Sequence, residues 1–139
     1  MSILQGATTS FKVQLLDGVH NFLTDTFKIA LYTGNASLNA ETTVYTTSNE
    51  ISGSGYTAGG NTLTATTPTS SGTVAYVSFA NTSWTSATFT TRAALIYNST
   101  QGNKSVAVLD FGSDKTVSGN TFTITFPAAD ATNAIVRIS

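Results

Sequence analysis

Phe89-Thr-Thr-Arg-Ala-Ala-Leu-Ile-Tyr97, Asn98-Ser-Thr-Gln-Gly-Asn103 and Lys104-Ser-Val-Ala-Val-Leu-Asp-Phe111 follow one another, and their reading decides the fold. Two β-prone runs flank a polar loop containing Gly102, the pattern of a β-hairpin. Neither run alternates cleanly. Leu95 and Ile96 are adjacent, and Val106 to Leu109 is apolar throughout. Strands apolar on both faces are usually covered on both faces. The hairpin is therefore expected at the centre, with the other strands around it. Arg92 is its one discordant residue. A charge in an apolar strand must be paired or reach water, so Arg92 is expected to meet Asp110 across the hairpin or an acid on another subunit.

Working outward, the first segment reads as a helix over about residues 10–22, capped by Thr9 or Ser10. Phe11, Leu15, Leu16, Val19 and Phe22 or Leu23 fall near helical spacing. Gly18 weakens it by roughly 1 kcal/mol relative to Ala. Thr26 to Thr33 reads as a strand, with Phe27, Ile29 and Leu31 on one face and Lys28, Ala30 and Tyr32 on the other. A long connection, about residues 35–60, has few apolar anchors beyond Val44, Tyr45, Ile51 and Tyr56, and such connections are usually functional or poorly ordered. Its Gly53-Ser-Gly-Tyr-Thr-Ala-Gly-Gly60 run lacks the Gly-Lys-Ser/Thr of a phosphate loop. Glycine here is expected to serve turns.

Further strands are predicted over 61–67, 73–80, 121–126 and 134–138. Turns are predicted at 68–72, at 81–87 around Trp84, and at 112–117. Seven or eight strands and one N-terminal helix make one mainly β domain, 1–139, an antiparallel β-sandwich or jelly roll. At this length roughly two-thirds of the unfolded surface is buried on folding.

Composition excludes more than it suggests. The 139 residues contain no Cys, so disulfides and thiolate metal sites are impossible. Six Lys plus Arg face seven Asp plus Glu, and no clustered positive charge speaks for a nucleic-acid partner. Charged residues are only 9% of the chain, and low net charge removes one guard against association. A homo-oligomer is expected. No apolar run is long enough to span a bilayer, no signal peptide is expected at Met1 to Ser10, and synthesis is expected to be intracellular. Sequons at Asn35, Asn81, Asn98 and Asn103 are therefore given no weight.

Catalytic patterns are missing too. His20 is the single His, and a triad needs a nucleophile and base held together. It reads as a surface residue of the helix. One His and no Cys argue against zinc, and no regular oxygen spacing suggests calcium. Asp110 and Asp114 read as turn caps. No enzyme, no metal and no cofactor are expected. Tyr32, Tyr45, Tyr56, Tyr76, Tyr97 and Trp84 could form a glycan- or protein-binding surface, with core packing expected for most.

Gly18-Val-His-Asn-Phe22, Asp25-Thr-Phe-Lys-Ile-Ala-Leu-Tyr-Thr33, Glu50 to Gly60, Thr91 to Tyr97 and Leu109-Asp-Phe-Gly112 form a set that resembles small β-rich structural proteins of tailed bacteriophages. The resemblance implies a virion protein, foremost a capsid decoration or cement protein that bridges and stabilises major capsid subunits, often as a trimer. It brings no catalytic residues. Phe11, Leu15, Val19, Phe22, Tyr45 and Tyr56 are the candidate assembly contacts, because they lie on the helix and the long connection outside the main sheet. The alternatives are a tail or tail-tip component and a glycan-binding virion adhesin.

Overall fold

A computed structural model describes residues 3–138. In chain order the elements are β1 (Gly6–Ala7), α1 (Thr9–Leu16), β2 (Phe27–Tyr32), β3 (Asn61–Leu63), β4 (Thr69–Ser71), β5 (Val74–Val77), β6 (Thr82–Asn98), β7 (Lys104–Ile124) and β8 (Val136–Ile138). They form two antiparallel sheets, one of five strands in the order β1-β7-β6-β2-β3 and one of three in the order β4-β5-β8.

The β6–β7 hairpin is the centre of the larger sheet, with β2 beside β6 and β1 beside β7. Both faces are covered where the strands are apolar throughout. Phe27, Ile29, Leu31, Ala94, Ile96 and Val106 point into one cluster, with Phe11 of the helix and Phe79 following β5. Ala30, Tyr32, Ala93, Leu95, Tyr97 and Val108 point the other way, against Ala36, Leu38 and Tyr45 of the long connection. Alternation divides the residues of β2 and β6 between the two faces, while in β7 the register shift opposite Ile96/Tyr97 puts Val106 on the first face and Val108 on the other. Double-sided cover explains why neither strand reads as half polar.

The hairpin strands are longer than the sequence suggests. Residues 82–87 and 112–117 are not turns but lie inside β6 and β7, beside register shifts. Between Trp84↔Phe122 and Ala87↔Asn120, β6 carries one extra residue, and Ser86 adopts φ 49°. Between Thr91↔Lys115 and Ala93↔Asp110, a single β6 residue, Arg92, faces four β7 residues. Gly112 there has φ 80°. Such bulges keep the ladder while bending the strand. This one also corrects the partner of Arg92. It swings Asp114 to 3.8 Å from the guanidinium, while Gly112 O accepts a 3.1 Å hydrogen bond from it. Asp110 instead accepts from Gly112 N.

The turn expected at 68–72 contains β4, which pairs with β5 around Gly72. The helix is shorter than the expected 10–22. Thr8 caps it, its hydroxyl accepting from Phe11 N. It ends at Leu16 because Gly18 takes φ 72°. Val19 N then donates to Gln14 O and Gly18 N to Leu15 O, the paired bonds of a Schellman termination.

Candidate interaction site

Helix α1 lies across the larger sheet with Phe11 buried and Leu15 half-buried. Opposite it stands β8, the edge strand of the smaller sheet. Between them runs a cleft of about 690 Å³, with Phe11, Leu15, Val106, Ile135, Val136 and Ile138 among its lining side chains. A second, smaller apolar depression of about 190 Å³ lies beyond Leu15, against Phe22, Tyr76, Val77 and Val136. Leu15 lines both.

Several large apolar side chains stand in water, Ile138 at both hollows. Leu16 is 90% exposed, Leu23 69%, Ile138 56% and Val13 54%. Val13 and Leu16 are three residues apart, so they share one helix face. Phe11 and Leu15, four apart, occupy the inner one. The helix thus carries two apolar stripes. Water normally faces the outer stripe of a surface helix through polar residues. Isolated exposed apolar residues are ordinary, whereas grouped ones mark contact surfaces.

The six candidate contacts fall into different roles. Phe11 belongs to the core, its ring edge-on to Phe22 at 6.1 Å. Leu15, Val19 and Phe22 are half-buried, and Phe22 stacks on Phe27 at 4.5 Å. The structure brings Leu15 and Phe22 together at the small depression. Tyr45 and Tyr56 lie elsewhere. Their hydroxyls donate to the two oxygens of Glu50 at 2.6 and 2.5 Å, and Gly59 N donates to the same carboxylate at 2.8 Å. Tyr45 also stacks on Tyr97 at 4.7 Å, and Tyr97 donates to Gly59 O. Burial, then the negative charge of Glu50, pushes the Tyr97 phenol up to about 12 and raises Tyr45 and Tyr56 further. These phenols fasten the long connection to the sheet.

Of the other aromatic residues considered for a glycan surface, Tyr32, Tyr97 and Trp84 are buried. Tyr32 donates to Thr46 O at 2.6 Å. Trp84 packs near Tyr56 and Phe122, and its indole Nε1 is the one buried side-chain polar atom without a partner among the described residues. Tyr76 is half-buried at the rim of the small depression.

His20 is not a surface helix residue. It lies beyond the helix end and is 7% exposed. Nε2 meets Gln14 Oε1 at 2.8 Å, and Nδ1 meets Asn98 Nδ2 at 3.0 Å. An amide NH₂ only donates, so Nδ1 accepts and Nε2 carries the proton. Asn98 Nδ2 also donates to Asp25 at 2.8 Å. Burial holds His20 below its ordinary pKa, Asp25 opposing that effect and Lys104 adding to it. Among the described residues, no serine or threonine hydroxyl is bonded to the ring. The group's visible task is to tie residues 20–25 to the hairpin loop.

Among the described residues, no group of three or more His, Asp or Glu side chains is placed to hold a metal ion. No helix among them is long and apolar enough to cross a membrane.

The sequence reading missed Val13 and the contribution of β8 to the cleft, and named Leu23 only as an alternative to Phe22. The spacing of Val13 and Leu16 was the available signal for the outer helix stripe. Nothing local announced that residues 136–138 would stand opposite the helix. Compared with family models, with curated proteins and with solved structures, the chain shows no match.

Proposed function

We propose that this chain is a non-catalytic structural subunit of a tailed-bacteriophage particle. Its foremost role would be capsid decoration, bridging and stabilising major capsid subunits, with the protein itself a homo-oligomer, a trimer by preference. The observation that supports a binding role most directly is the apolar outer face of α1, Val13 and Leu16, beside the cleft facing β8. The phage assignment is carried by the sequence resemblance. In this proposal the two sheets are the layers of a β-sandwich, joined by Phe11, Phe79 and Phe126 across the shared cluster. A chain with 9% charged residues meets neighbours with little electrostatic repulsion. Burial of apolar area at roughly 25 cal/mol per Å² would supply the holding energy.

The test is addition of the purified protein to empty expanded capsids, followed by an electron-microscopy density map and by sedimentation equilibrium of the free protein. Ordered density outside the shell at local symmetry axes is expected, together with a trimer in solution. Density on the tail alone moves the protein to a tail role. A monomer that leaves capsids bare refutes the proposal.

A further inference from the structure

The cleft between α1 and β8 has one wall that is a sheet edge. Val136, Arg137 and Ile138 all line it. β8 thus forms one wall of the cleft along its whole length. β8 is the end strand in the order β4-β5-β8, and among the described residues its residues 136–138 pair in ladder fashion with β5 alone. Its outer N–H and C=O groups therefore lack a strand partner. An open edge is a template for another extended chain.

Charge narrows the kind of chain. The ionisable residues lining the cleft are Lys12 and Arg137, both cationic. Arg137 is shared, since it donates to Thr132 O and its charge helps lower the pKa of exposed Asp130, behind the hydrogen bonds from Asn133 and Thr132. Lys12 is exposed and makes no ion pair among the described residues. The hollow is thus apolar along its floor, positive at its rim and open to backbone pairing on one side.

We propose that this cleft binds an extended segment of another protein, which adds as a strand to β8, sets alternate apolar side chains against Leu15 and Ile135, and turns a carboxylate to Lys12. This rests on the reading of the same face as the docking face and names the chemistry of its partner segment.

The experiment uses the intact, isotopically labelled chain and three synthetic octapeptides. One alternates Val with Asp, one alternates Val with Lys, and one is the acidic peptide with Pro at its centre. Backbone amide NMR shifts and hydrogen exchange at Val136 to Ile138 are followed during titration. The acidic peptide is expected to shift and protect these amides and to bind at least about tenfold more tightly than the basic one. The Pro peptide loses binding because it removes a ladder donor. Lys12→Glu, at an exposed position, is expected to reverse the preference between acidic and basic peptides. Equal binding of all three peptides, or no shift at millimolar peptide, overturns the proposal. So do shifts of the same amides with protein concentration alone, which assign the cleft to a second copy. These results are read on the free chain. Bare capsids beside a positive titration would refute the virion role only, and decorated capsids beside a negative titration would refute the strand-addition site only.

Discussion

Glu50 accepts hydrogen bonds from Tyr45, Tyr56 and Gly59 N, while Tyr56 Oη in turn accepts from Leu31 N at 3.0 Å. One carboxylate thus ties three points of the long connection to β2. Glu50→Ala would leave two half-buried phenols and an amide without their acceptor. Hydrogen bonds to a charged group contribute about 1.5–3 kcal/mol each, with part recovered by water. A net loss of about 3 kcal/mol is expected, read as a lower urea midpoint. An unchanged midpoint would show that the connection is held without Glu50. His20 gives a second residue-level prediction, through pH. The folded state holds its pKa below the ordinary 6.5, so around that pH the unfolded chain takes up a proton that the folded chain declines. The contribution is complete above about pH 6.5 and is lost as pH falls below it. Asp25 acts lower down. Burial pulls its pKa up, but the hydrogen bonds from Asn98, the Asn21 backbone and Gln101 outweigh that and leave it below 3.8. Its contribution is present above that value and lost beneath it. A melting temperature flat from about pH 8 to 7 and falling from about pH 6.5 to 5 is expected. His20→Gln should remove that fall even if it melts lower throughout; a fall that persists assigns the titration to another group.

At the scale of elements, Gly18 decides where α1 stops. It sits at φ 72° with open space where a Cβ would be. Gly18→Ala should therefore carry only the conformational cost of a left-handed residue, about 1 kcal/mol. Denaturant titration should show this loss, with faster amide exchange at Val19 and no change in the hairpin. A much larger loss would mean that the termination also fixes His20. The same residue shows how much of the fold was legible. Apolar spacing carried the predicted helix on to Phe22, which does pack against the core, but in a loop that follows a left-handed glycine. Likewise the stretches around Trp84 and after Gly112 read as turns, because Gly serves turns and bulges alike and Ser is common in turns. Only the partner strand tells them apart, and that is not local information. What was legible was two-sided burial: Leu95 beside Ile96, and Val106 to Val108, announced a strand covered above and below. The apolar lining of the two hollows was half legible. Leu15 and Phe22 followed from periodicity, whereas the β8 wall depends on how the smaller sheet docks.

For the whole molecule, the central question is whether its apolar outer surface contributes to folding or to association. Val13 and Leu16 lie on the outer stripe of α1, away from the cluster that Phe11 and Leu15 enter. In the isolated chain Leu16 gains almost nothing from folding and Val13, 54% exposed, only part of its transfer energy, since apolar stabilisation scales with area removed from water. Lysine is also as good a helix former as most residues and better than Val. The double substitution Val13→Lys, Leu16→Lys should therefore leave monomer stability within about 0.5 kcal/mol. If the face docks in an assembly, the same change places two charges in a desolvated contact, where an unpaired charge is strongly unfavourable. Sedimentation equilibrium and binding to expanded capsids should then fall at least tenfold while the urea midpoint stays in place. The midpoint makes the outcome decisive. Loss of assembly at constant stability assigns the face to association, whereas retained assembly at constant stability would locate the docking surface elsewhere on the chain.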